Sequence, residues 1–178
     1  MGGVTIRSAY GMWPQYNQRL RDVVGAMTDE QLAICPPGRL RQPHHRQPEI
    51  WPLWATVGHI ACQRVFWLCD FAGEPGAETT PFTNAESNCP GDDDLENVLT
   101  TDDLVEALDS SFRIVENCLD EWTVDMLADE LRRDDFGPGW VHTRGSVFQR
   151  VFSHDVYHCG ELSQTLGIEG MQQVDLWG

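Results

Sequence analysis

The residues Val105, Leu108, Phe112, Val115, Leu119 and Trp122 recur at alternating steps of three and four. That spacing lays one apolar seam along an α-helix. Three other segments carry the same period: Tyr10, Trp13, Tyr16, Leu20, Val23 and Met27; then Ala55, His59, Cys62, Phe66 and Cys69; then Val147, Val151, His154, His158, Glu161 and Thr165. Each seam must be buried against another element, so four such helices predict an all-α, four-helix bundle.

Local signals place the helix ends. Thr28, Asp29, Glu30 and Gln31 form a capping-box sequence that starts a short helical turn after the first helix, ended by Pro36 and Pro37. Residues 35–51, rich in Pro and Arg, read as a loop. The second helix is predicted from Pro52, a residue suited to the first helical position, to about Phe71, before Gly73 and Pro75. Residues 72–99 read as a long exposed connection, and this length suits a crossover better than a tight hairpin. Within it, Asp92, Asp93 and Asp94 lack the alternating ligands and terminal Glu of a calcium loop and read as a solvated charge run. The third helix starts near Thr101. The segment Asp134 to Thr143, with Gly137, Pro138 and Gly139, breaks the pattern before a fourth helix from about Ser146 to Leu166, stopped at Gly167. The whole of residues 1–178 is the length of one domain.

Composition removes several chemistries. The 28 acidic residues face 12 basic ones, all of them Arg, and the chain has no Lys. Schiff-base and pyridoxal-phosphate enzymes and Walker-type phosphate loops are therefore excluded. A formal charge of −16 argues against nucleic-acid binding, which needs a basic surface. The first residues lack the features of a signal peptide and no apolar stretch approaches a membrane span, so a soluble, cytoplasmic protein is expected, with no membrane partner. Six Cys occur without a Cys-x-x-Cys pair, and Cys62 and Cys159 in particular read as small core residues in a reducing compartment.

The histidines carry the functional signal. His154 and His158 lie four residues apart on the inward stripe of the fourth helix, so their imidazoles are about 40° apart around the axis and can converge on one ion. His59 lies on the inward stripe of the second helix. Unpaired polar groups are costly there, so the three need either a ligand or one another. His44, His45 and His142 fall in loops and read as solvated or locally bonded.

Three segments carry a family resemblance across nearly the whole chain. They are the first amphipathic helix with its Thr28–Gln31 turn, the stretch Trp54-Ala-Thr-Val-Gly-His59-Ile-Ala, and the stretch Ser153-His-Asp-Val-Tyr-His158-Cys-Gly160-Glu161-Leu162. Together they resemble the DinB-like (DinB/YfiT-type) superfamily of metalloenzymes. The resemblance implies an up-down-down-up bundle, with His59, His154 and His158 holding one divalent metal ion. It also implies a homodimer. The chain departs from the family at Tyr157-His158-Cys159-Gly160-Glu161, where relatives often read His-His-Arg-Gly-Gln.

Three neutral imidazoles leave coordination positions open, as a catalytic metal site requires. Zinc or nickel suits them, and iron or manganese accepts the same donors. Glu161, one turn past His158, is a candidate acceptor for a ligand imidazole or a general base. Gln63 and Asp155 are candidates to orient a ligand or to serve as peripheral polar groups. The resemblance implies a metal-dependent enzyme on a small molecule, an S-transferase or isomerase using mycothiol or bacillithiol as co-substrate. The alternatives are a metal-dependent hydrolase and a non-catalytic metal- or ligand-binding stress-response protein.

Overall fold

The computed structural model describes residues 3–36, 50–83, 89–92, 94–134, 137 and 139–177. Six α-helices run through the described residues: α1 (Arg7–Tyr10), α2 (Trp13–Gly25), α3 (Asp29–Leu32), α4 (Leu53–Val65), α5 (Thr101–Glu121) and α6 (Arg144–Ile168). A short antiparallel ribbon, β1 (Glu130–Arg132) with β2 (Val141–Thr143), pairs Leu131 with His142. None of these helices is long and apolar enough to cross a membrane. His44, His45, Pro37 and Asp93 lie outside the described residues.

The expected first helix is broken in two. Pro14 sits in the opening turn of the longer piece, where its missing N–H costs nothing, but it could not continue a helix arriving from α1. The short α3 carries the capping box as read, with Thr28 and Gln31 each closing on the other's backbone. Just past its end, the Ile34 carbonyl accepts from the Leu53 N–H at 3.0 Å, filling one of the donors the start of α4 leaves open.

Helix α4 is the centre of the molecule. Twelve of its residues are buried, and only Gln63 is not, so it is enclosed on all sides, as a helix without a polar face must be. It packs on α5 along one side and α6 along another, while α2 packs on α5. The α5 seam is buried at Leu108, Phe112, Val115 and Leu119, with Trp122 just past the helix, while at its start Leu104 is buried and Val105 only half-buried. Trimming a residue such as Leu108 to Ala costs about 2–5 kcal/mol in such a core.

Three boundaries differ from the sequence reading. Pro52 is extended, at ψ 159°, and precedes the helix instead of opening it. Beyond Val65 the chain widens into a π-turn over Phe66–Phe71, with the Ala72 N–H reaching back five residues to Trp67. There Trp67 and Phe71 both meet the ring of the half-buried His142, with centroids at 5.5 and 5.2 Å. The fourth long helix starts at Arg144, where Thr143 caps it by accepting from Ser146, and runs past Gly167 to Ile168. The left-handed residue that follows is Gly170, at φ +69°.

A buried ion pair locks α4 to α6. Arg64 donates from Nη2 and Nε to one Asp155 oxygen at 2.7 and 3.0 Å, and the Trp13 indole N–H adds a third bond at 2.9 Å. Full burial pushes the Asp155 carboxyl up, and the Arg64 charge pulls it down. Asp155 therefore faces the interior between α2, α4 and α6, not the histidines, and its role is to join helices.

Candidate metal centre

The interior faces of α4 and α6 bring three imidazoles together. His154 Nε2 lies 3.0 Å from His59 Nε2 and 3.1 Å from His158 Nε2. His59 and His158 are each only 2% exposed, and His154 is the least buried of the three. The pairing follows from helix geometry: one turn of α6 separates His154 from His158, and the close packing of α4 on α6 sets His59 opposite both.

The surrounding groups assign the protons. His158 Nδ1 is 2.7 Å from Glu161 Oε2, so its N–H donates there and the lone pair is left on Nε2, facing the other two rings. His59 Nδ1 lies 3.5 Å from Cys89 Sγ and 3.6 Å from Asp92 Oδ2. His154 is held neutral, its pKa lowered well below the ordinary histidine range by burial first and then by the other two imidazoles. Its Nδ1 has no partner among the described residues.

This donor set suits a divalent ion. Neutral imidazoles present lone pairs from one side, and nitrogens each about 2.1 Å from a common ion at right angles stand about 3.0 Å apart. The three nitrogens could hold one metal ion. A second combination, His59 with Cys89 and Asp92, also has ligand atoms within 4.8 Å of one another. It shares His59 through the opposite ring nitrogen.

Cys89 carries no motif in the sequence, and Asp92, expected in a solvated charge run, instead faces His59. Both arrive on a strap of chain, residues 89–92, that turns at Pro90 and Gly91. Gly91 has φ +84°, and a Cβ there would stand 2.7 Å from the Trp51 ring, while a Cβ at Gly58 would meet Pro90 at 3.0 Å. These close approaches seat the strap on the start of α4 beside His59. The Pro-Gly pair after Cys89 signals a turn, but nothing local shows that it closes on a residue thirty positions earlier.

The remaining candidates divide. Glu161 Oε2 lies 2.7 Å from His158 Nδ1, one helical turn away. Gln63 touches no imidazole: its amide donates to Cys89 Sγ at 3.5 Å, and its carbonyl accepts from Trp67 Nε1 at 3.1 Å. Cys62 and Cys159 are buried in the core, and burial raises the Cys159 thiol to about 12. Trp51 was not anticipated either. Its ring lies 4.9 Å from that of His59 and 6.4 Å from that of His158, closing one side of the centre.

A mostly helical fold in which three imidazoles converge from two buried helix faces defines a helical protein with a candidate three-histidine metal centre. The chain belongs to the DinB superfamily, whose sequence profile matches residues 15–162. Among solved structures, a DinB-like protein from Bacillus cereus ATCC 10987 superposes with a TM-score of 0.64 at 16% identity, over 98% of this chain and 98% of that one. No curated protein matches the sequence.

Proposed function

We propose that this protein is a divalent-metal-dependent enzyme that transfers or isomerises through a low-molecular-weight thiol, of the mycothiol or bacillithiol kind, with an electrophilic small molecule as second substrate. His59, His154 and His158 are its ligands, zinc or nickel its metal, and iron or manganese suits the same nitrogens. The carrying observation is the convergence of the three imidazoles, with His154 Nε2 3.0 Å from His59 Nε2 and 3.1 Å from His158 Nε2, and the ligand atoms of all three within 4.8 Å of one another. The chain has no lysine, and burial pushes the Cys69 and Cys159 thiols up to about 12, which disfavours these two as nucleophiles and supports one brought by a co-substrate. A bound divalent ion supplies Lewis acidity, which lowers the pKa of a sulfur or oxygen ligand into the neutral range.

The chain's own residues prepare that chemistry. Glu161 keeps the His158 ring in the tautomer whose lone pair points inward. On the strap side His59 Nδ1 faces Cys89 Sγ and Asp92 Oδ2, with Gln63 bonded to the same sulfur. Trp51 covers the His59 and His158 rings and keeps water from that side. Asp155 and Arg64 hold α6 against α4, which fixes the distance between His59 and the other two.

The reading extends to the whole molecule: one domain over residues 1–178, four long helices in an up-down-down-up arrangement, a cytoplasmic location suited to free thiols, and a homodimer. Sedimentation at micromolar concentration tests the dimer, and a monomer refutes it. The function is tested by incubating metal-loaded protein with each thiol and a panel of electrophiles, with His154→Ala as control. Metal-dependent conjugation that the variant loses is expected. Metal-dependent release from esters or amides without conjugation replaces transfer by hydrolysis, and bound metal with no turnover on any substrate leaves a binding protein.

A further inference from the structure

Arg150 differs from most of the arginines around it. Arg7, Arg21, Arg64, Arg132 and Arg144 each hold a carboxylate. Arg150 has none within ion-pair distance among the described residues, in a chain with 28 acidic residues to draw on. Its guanidinium instead lies 4.3 Å from the centre of the Trp67 ring. That indole is tied through Gln63 and Cys89 to His59, so the cation is held at a fixed place beside the centre.

Helix spacing sets its direction. Arg150 precedes His154 by four residues, so the two share a face of α6 and stand about 6 Å apart along it. His154 is the most open of the three imidazoles, and Arg150 itself is exposed. Stacking on the indole strips water from one side of the guanidinium, which lowers its pKa and strengthens whatever anion it meets. A divalent ion beside an unpaired guanidinium concentrates positive charge, and an anionic occupant offsets it.

We propose that Arg150 anchors a carboxylate on the small molecule that enters the three-histidine centre, which makes carboxylate-bearing thiols the preferred co-substrate class. The claim rests on the metal-binding, thiol-using reading above. The planar fork of arginine matches a carboxylate by two parallel N–H bonds, and a donor atom at the metal with a carboxylate a few bonds away spans the gap of about one helical turn.

The test uses full-length protein loaded with cobalt, titrated with 3-mercaptopropionate and with 2-mercaptoethanol, reading the thiolate-to-cobalt band in the near ultraviolet. The carboxylate thiol is expected to bind about tenfold tighter, the worth of one charge-assisted contact. Arg150→Gln, which removes the charge and keeps a polar side chain over Trp67, loses that preference with 2-mercaptoethanol affinity and cobalt content unchanged. Arg150→Lys restores part of it. Equal affinities in the unaltered protein, or a preference that survives in Arg150→Gln, overturn the proposal. If neither thiol produces the band, the thiol reading fails instead, and Arg150 is judged with propionate through the cobalt visible spectrum. Propionate binding lost in Arg150→Gln then supports the anchor, and no binding or binding retained overturns it.

Discussion

The three imidazoles are supported unequally. His158 rests on a carboxylate, His59 on a sulfur, and His154 on nothing among the described residues. Outer partners of this kind are worth about 10–100-fold in metal affinity. Glu161→Gln and Cys89→Ala are therefore expected to weaken zinc by factors in that range, measured by competition with a chromophoric chelator, while Cys62→Ala leaves affinity unchanged. Burial gives the apoprotein a pH dependence as well. The His154 pKa is lowered in the folded state, so below the ordinary value of 6.5 the unfolded chain binds the extra proton. Stability then falls as pH drops from 6.5 toward the folded value, with a limiting slope of about 1.4 kcal/mol per pH unit. Urea titrations of metal-free protein at pH 7.5 and pH 5.5 check this, and equal midpoints refute it. The spacing of His154, His158 and Glu161 was readable because all three share one helix, where sequence distance is spatial distance. For Asp155, in the same helix, sequence alone leaves open a ligand-orienting role or a pairing elsewhere, because its partner Arg64 lies 91 positions away.

At the level of elements, period three-four made every long helix visible, since an apolar seam is a property of the segment itself. What it did not show were departures from the period. A proline at the head of α2 breaks the first helix, and a π-turn widens the end of α4. The ribbon β1–β2 escaped because strands of three residues leave almost no pattern. The strap at 89–92 is the element on which the site most depends and the one least visible beforehand. Gly91→Ala tests it: the substitution puts a side chain at φ +84° and drives a Cβ to 2.7 Å from Trp51. A loss of about 1–3 kcal/mol in unfolding free energy is expected, together with weaker metal binding as Cys89 and Asp92 shift from His59. Unchanged metal affinity in a folded Gly91→Ala protein would show that the strap and the centre are independent.

Over the whole molecule, charge is the dominant global property. A formal charge of −16 on 178 residues makes the folded state repel itself, and salt screens that repulsion. The melting temperature is expected to rise between 10 mM and 0.5 M sodium chloride, and about 1 kcal/mol of relief corresponds to about 2–4 °C at this size. A falling melting temperature would mean that ion pairs such as Arg144 with Glu74 outweigh the net repulsion.

Trp51 lends the centre an optical property. Its ring is in contact range of two of the three imidazoles, so an ion seated between them lies within reach of the excited indole. Cobalt or nickel, whose unfilled d shells drain an excited neighbour, should dim the emission of this one indole, whereas zinc should leave it bright. Trp51 would thus report on the identity of an ion bound at this candidate centre.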